Sequence, residues 1–219
     1  MTLDPVMIIA IDGPSASGKG TLARRLAETL GFAHLDTGMI YRAVAAKLLE
    51  QGQAPEDAEA ALRIAESLRP EDLKRPDLRE EAVGQASSIV AAQPAVRDAL
   101  LVFQRDFARH PPAGKGGAVL DGRDIGTVVC PDAAVKLFVT AGLESRAQRR
   151  HKELIERGKT SIYPRVLQEM RERDARDGAR ATAPLRPAQD ATILDTTEMD
   201  ADAVLAAAVR LIEAQLPAG

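Results

Sequence analysis

The chain of 219 residues contains no asparagine and no tryptophan, and aromatic residues make up only 3% of it. Without asparagine there can be no N-K-x-D segment of the kind that reads guanine in GTP-operated switches. So few aromatics leave few platforms on which the bases of a single-stranded nucleic acid could stack. A formal net charge of -3 argues against a dominant basic surface, the source of the counterion release that drives binding to nucleic acid. A single cysteine, Cys130, cannot close an internal disulfide, so a reducing cytoplasm is the expected setting. It stands between Val129 and Pro131 with no basic partner beside it, and reads as a buried small apolar residue rather than a nucleophile. No apolar run approaches the length that spans a bilayer, and the N-terminus shows no basic leader, so neither membrane insertion nor export is expected.

What is present fits one compact α/β domain: 45% of the residues are hydrophobic and 28% charged. PVMIIAIDG begins as a continuous apolar run and ends in Asp-Gly, the mark of a strand buried on both faces. TLARRLAETLG follows with Leu22, Leu26 and Leu30 on one helical face and Gly31 as its stop. Further apolar runs at FAHLD, GAVLDG, AVKLFVTA and ATILDTT alternate with helical segments. Five strands so arranged predict a mostly parallel sheet covered by helices on both faces. Residues 1–50, 84–155 and 178–219 are read as the core. The stretch from about 51 to 83 has no strand-like run and is read as a small helical insertion. ERGKTSIYPR, about 156–165, carries a Gly and a Pro between two helical stretches and is read as a mobile flap or lid. The tail MDADAVLAAAVRLIEAQL reads as a packing helix begun by Asp200 or Asp202.

Between the first strand and the first helix lies GPSASGKGT, from Gly13 to Thr21. Backbone N–H groups at a helix N-terminus, with glycines allowing close approach, are suited to binding phosphate. The common pattern places Ser or Thr directly after the lysine. Here Gly20 follows Lys19 and the hydroxyl comes one residue late, at Thr21. Lys19 supplies a mobile positive charge, whereas Ser15, Ser17 and Thr21 read equally as capping hydroxyls. With no side chain at Gly20, a magnesium ion is expected to be held by phosphates and water.

Three more clusters carry charge. DTGMIYR follows the second strand, and Arg42 is either a phosphate clamp or an ordinary exposed helical arginine. DGRDIGT follows the third strand, which places Asp121, Arg123 and Asp124 at the sheet edge where open α/β folds bind ligands. Arginines are dense from Arg146 to Arg180. Interleaved acids allow a solvated, salt-bridged helix there, yet Arg173, Asp177 and Arg180 recur at a spacing that predicts one helical face.

Taken in order, IDGPSASGKGTLA, LDTGMIYRA, SSIVAAQPAVRDALL, DGRDIGTVVCPDA and ERDARDGARATAPL resemble the bacterial cytidylate kinases, P-loop nucleoside monophosphate kinases acting on CMP and dCMP. The resemblance implies a P-loop NTPase-type fold with a CMP-binding insertion and a short lid. It implies phosphoryl transfer from ATP with Mg²⁺, and a monomer that binds neither nucleic acid nor membrane. By the same resemblance Gly13, Pro14, Ser15, Ala16, Ser17, Gly18, Lys19, Gly20 and Thr21 hold the ATP phosphates. Thr37, Arg42, Ser88, Arg97, Arg123, Asp124, Arg173 and Asp177 correspond to the CMP-contacting set. Within that set Arg42 and Arg123 resemble phosphate clamps, Ser88, Arg97 and Asp124 cytosine readers, and Asp177 the acceptor for a sugar hydroxyl. Lys19, Arg123, Arg176 and Arg180 are expected to stabilise the transferred group, and Asp121 to orient water around Mg²⁺. Two departures stand out: the insertion is shorter than in some members, and Thr37 occupies a place where serine is familiar. Adenylate or shikimate kinases would share the fold, and the DTGMIYR and DGRDIGT loops distinguish this chain from them.

Overall fold

A computed structural model describes residues 6–215. Pro5, where the first predicted strand begins, and Leu216, at the end of the predicted tail helix, lie outside them. The chain groups into two compact units. One joins the stretch up to Leu35 with that from Ala108 onward, and the other comprises Asp36–Phe107.

The first unit is built on five strands: β1 (Met7–Asp12), β2 (Ala33–Asp36), β3 (Gly117–Gly122), β4 (Val135–Thr140) and β5 (Thr192–Asp195). They lie in the order β2-β3-β1-β4-β5, so the most apolar strand is central. β1 runs parallel to β3 and β4, and β4 runs parallel to β5. Parallel strands need crossover connections and cover on both faces, which explains the unbroken apolar runs. Ile9, Ile11, Val119, Leu137 and Val139 bury against Leu22 and Leu26 of α1 (Lys19–Leu30) and Val204 and Ile212 of α8 (Ala201–Gln215). α1 ends where predicted, with Gly31 left-handed at φ 69° and donating back to Glu28 and Ala27 carbonyls. α8 starts at Asp200 rather than Asp202: the Asp200 carboxylate accepts from the N–H groups of Asp202 and Ala203 at 3.0 and 2.8 Å. α6 (Leu143–Glu156) and α7 (Tyr163–Gly178) form a hairpin with a small core of Ala147, Val166 and Met170.

The second unit is helical: α2 (Thr37–Glu50), α3 (Ala58–Glu66), two 3₁₀ turns at Pro70–Lys74 and Pro76–Arg79, α4 (Glu81–Val90), and most of α5 (Pro94–Arg109). The 51–83 stretch holds no strand, in agreement with its composition. Ile40, Val44 and Leu48, spaced by four, are fully buried on α2, which packs on α3 and α4. Lys47 pairs with Asp72, and Arg75 with Glu50 and Asp77, fastening the 3₁₀ turns to α2.

One sequence expectation changes. Arg173, Asp177 and Arg180 do not share one helix, because α7 stops at Gly178. The Asp177 carbonyl accepts from Leu185 N–H at 2.9 Å instead of from the next helical turn, and Gly178 holds helical geometry weakly. Arg180 therefore returns to Asp177 from the segment beyond the helix.

Gly13 shows how closely the first loop is fitted to the sheet. A Cβ there would stand 2.0 Å from the Val139 carbonyl oxygen of β4, whereas one at Gly18, φ 89°, would meet nothing within 4 Å. Gly13→Ala is expected to cost about 1–3 kcal/mol or more through backbone displacement. Gly18→Ala pays only left-handed strain, about 1 kcal/mol. Urea unfolding of the two variants checks the order.

Candidate active site

The loops after β1 and β3 leave adjacent strands at the carboxyl edge of the sheet, the crevice where open α/β folds take ligands. In the first of these loops Gly18 occupies the N-cap of α1 and no side chain caps that terminus. Its positive end, with open N–H groups, is what an anion requires. The loop's carbonyls are held from behind. Lys19 Nζ donates to Pro14 O at 3.2 Å, Arg146 to Ser15 O at 3.3 Å, and Thr196 Oγ1 to Ser17 O at 2.9 Å. Ala16 is left-handed at φ 57°. Ser17 is fully buried, and its Oγ has no hydrogen-bond partner among the described residues. A buried hydroxyl so placed costs free energy until something bonds it, which fits a ligand atom in the loop.

Beside the loop lies a cavity of about 270 Å³, lined by Thr21, Leu22, Arg149, Thr196, Met199 and Val204 among others. The arginine-rich segment thus proves mixed. Arg146 is buried, donating to Ala141 O at 2.8 Å and pairing with Asp174 at 2.7 Å. Arg149 donates to Thr196 Oγ1 at 3.0 Å and to the Thr196 carbonyl. Arg176 is exposed on α7. Charge density along the sequence signalled the segment, but nothing in the spacing distinguished these scaffolding arginines from the rest.

Asp12, at the end of β1, joins the two loops. Its carboxylate accepts from Ile125 N–H at 2.7 Å and Gly126 N–H at 2.8 Å, aligning the π-type turn at Ile125–Val129 that follows Arg123 and Asp124. Burial pushes the Asp12 carboxyl up to about 6, helped by Asp124, while the two N–H bonds and Lys19 pull it down. Asp124 is itself buried, at 5% exposure.

Asp177 gathers the remaining charge. Arg123 Nε donates to its Oδ2 at 2.9 Å, Arg180 donates to Oδ1, and Arg173 contributes at longer range. Burial alone would raise the Asp177 carboxyl, but the three guanidinium groups outweigh it and hold it below the usual carboxylate range. Several fixed guanidinium groups around one buried acid present excess positive charge, which suits an anionic ligand.

Of the other predicted residues, Thr37, Arg42, Ser88 and Arg97 belong to the helical unit. Thr37 opens α2 and is buried, as is Ser88 on α4. Arg42 donates to Leu78 O at 2.8 Å. Arg97 donates to Ala91 O at 3.0 Å, with its guanidinium 5.6 Å from the centre of the Tyr41 ring. Cys130 is buried, as an apolar filler should be. Among the described residues no three His, Cys, Asp or Glu side chains converge as a metal cage. No single helix described here is long and apolar enough to cross a membrane.

A central strand, a glycine loop at an uncapped helix N-terminus and an arginine cluster beside it define a P-loop phosphotransferase. A solved structure of an uncharacterized protein from Eubacterium ventriosum shares the fold, with a TM-score of 0.53 and 14% identity over 94% of this chain and 98% of that one. The family model described as cytidylate kinase matches residues 9–214. The cytidylate kinase of Paramagnetospirillum magneticum is 63% identical over 94% of this chain and 97% of its own. That of Rhodospirillum rubrum is 57% identical over the same shares. The chain belongs to the cytidylate kinase family.

Asp12 generates a prediction with a definite sign. The folded state holds its proton more tightly than the unfolded chain, so this group erodes stability as pH rises from 3.8 to about 6. Asp12→Asn abolishes that slope. From urea unfolding at pH 4 and pH 7, the variant's stability relative to wild type is expected to rise with pH by up to about 3 kcal/mol.

Proposed function

We propose that this protein transfers the γ-phosphoryl group of ATP to CMP or dCMP, giving ADP and CDP or dCDP. The observation that carries the proposal is an uncapped helix N-terminus cradled by Gly13–Thr21 in a chain of the cytidylate kinase family. An acceptor phosphate oxygen attacks Pγ in line. The bond from Pγ to the β,γ-bridging oxygen breaks, and its electron pair leaves with ADP. No protein nucleophile is needed, so the residues act through charge and position.

In this reading the loop N–H groups and Lys19 hold the donor phosphates, Ser17 Oγ gains its missing partner there, and the 270 Å³ cavity receives the donor's base. Asp121 would orient water in the hydration shell of Mg²⁺, an ion that would supply charge neutralisation to the donor phosphates when bound. Arg123, Arg176 and Arg180 stabilise the charge that develops on the transferred group. Thr37, Arg42, Ser88, Arg97, Arg123, Asp124, Arg173 and Asp177 hold the pyrimidine nucleotide, Asp177 through a sugar hydroxyl. Residues 51–83 form an insertion within the helical unit of a single kinase domain, and about 156–165 serve as the lid that excludes water. A monomer acting in the cytoplasm is the proposed setting. It is supported by the lone buried cysteine and by exposed large apolar side chains that lie singly on different elements.

A coupled ADP-release assay with Mg-ATP and each of CMP, dCMP, UMP, AMP and shikimate tests the reading. Turnover is expected with CMP and dCMP; a preference for AMP or shikimate would overturn the acceptor assignment. Arg97→Ala is expected to reduce the CMP-over-UMP preference in kcat/KM by about tenfold or more. An unchanged ratio would remove Arg97 from base reading.

A further inference from the structure

Asp121 lies at the carboxyl end of β3, level with Ile11 of β1 and only 3% exposed. Its two oxygens face different ways. On one side is His34 of the neighbouring edge strand β2, with Nε2 2.8 Å from Oδ1. An ionised carboxylate only accepts, so the tautomer with its hydrogen on Nε2 is the one that donates to Asp121. On the other side, Oδ2 lies 3.6 Å from the point a Cβ at Gly20 would occupy. Gly20 is the position at which the common phosphate loop carries the Ser or Thr whose hydroxyl meets the magnesium ion. A carboxylate oxygen thus faces the space that the absent hydroxyl leaves.

We propose that His34 is a positioning residue for phosphoryl transfer: its Nε2–H holds Asp121 in the rotamer that turns Oδ2 toward Gly20. There the carboxylate orients water of the Mg²⁺ shell in place of a loop hydroxyl. The proposal rests on the reading of Asp121 given above. The physical reason is the burial of the carboxylate. A short aspartate side chain pivots about two torsions, and a directional charge-assisted hydrogen bond from an adjacent strand removes that freedom. The side chain of His34 is 23% exposed against 4% for Asp121, so the imidazole anchors the buried acid from the partly open edge of the sheet. Partners that orient metal-facing carboxylates commonly change metal affinity or activity by tenfold or more when removed.

The test compares His34→Leu, which removes the donor, with His34→Gln, whose amide nitrogen can donate from a similar reach, and with Asp121→Asn. Four quantities are measured on folded protein: kcat, KM for CMP, the Mg²⁺ concentration for half-maximal rate, and the Kd of Mn²⁺ for the enzyme–ADP complex by electron paramagnetic resonance. His34→Leu is expected to lower kcat about tenfold and to raise both metal constants by a similar factor, with KM for CMP within about twofold. His34→Gln should recover most of the loss. A folded His34→Leu with wild-type kcat and Mn²⁺ affinity overturns the proposal, and so does a His34→Gln as impaired as the leucine variant. If His34→Leu does not fold, His34→Asn, too short to reach Oδ1, takes its place in the same comparison. An impaired Asp121→Asn beside an unimpaired His34→Leu sinks the His34 inference alone. A fully active Asp121→Asn sinks the reading of Asp121 itself.

Discussion

A loop that must keep its N–H groups open toward a phosphate has to satisfy its carbonyl groups somewhere else. In Gly13–Thr21 this requirement organises much of the first unit. Lys19, Arg146 and Thr196 each donate to a different loop carbonyl, and they come from the loop's own helix, from α6 and from the segment after β5. The Thr196 N–H also bonds the Thr140 carbonyl at the end of β4, and Arg149 bonds Thr196 in turn. Elements remote in sequence are therefore drawn to one point by the hydrogen-bonding needs of nine residues. The side of the loop left over once those needs are met is where the proposed reading places the donor phosphates.

Charge is distributed on a related principle. The acids near the sheet edge each have an assigned structural partner: Asp12 the backbone of Ile125 and Gly126, Asp121 the imidazole of His34, and Asp177 the guanidinium groups of Arg123 and Arg180. Arginines held by such pairs do not have to give up freedom when an anionic ligand arrives, which lowers the entropic cost of organising the site. The exposed pairs along α6 and α7, such as Arg165 with Glu169, are of the weaker solvated kind.

Much of this was legible in the sequence. The five strands, the loop between β1 and α1, the Gly31 stop and the strandless 51–83 stretch follow from local periodicity and turn chemistry, which act over a few residues. The segments carrying Thr37, Arg42, Ser88 and Arg97 stand out as motifs, and the structure places all four in the helical unit. The extent of α7 was misjudged at Arg180 because its end depends on Leu185, a partner outside the helical repeat. Asp12, His34 and Thr196 do not stand out in the sequence for the same reason, and Arg146 and Arg149 do so only as members of the arginine-dense segment. Their importance lies in contacts such as Thr196 with Ser17, 179 positions apart, that no spacing rule contains. Asp12 looked like the polar end of a strand, and its burial with two backbone N–H groups emerges only when β1 and β3 are paired.

The absence of a side chain at Gly13 has a dynamic meaning. The loop backbone rests directly on the carbonyl of Val139, and β4 is already bonded to β1 through Ile9–Asp12. Lifting the loop away would part the carboxyl ends of the two central strands, so its opening draws on the stability of the sheet rather than on the small cost typical of a surface loop. In hydrogen-exchange terms, the loop's open N–H groups trade with solvent until an anion bonds them, while the bonded amides of β1 and β4 beneath keep the slow lifetime of the core.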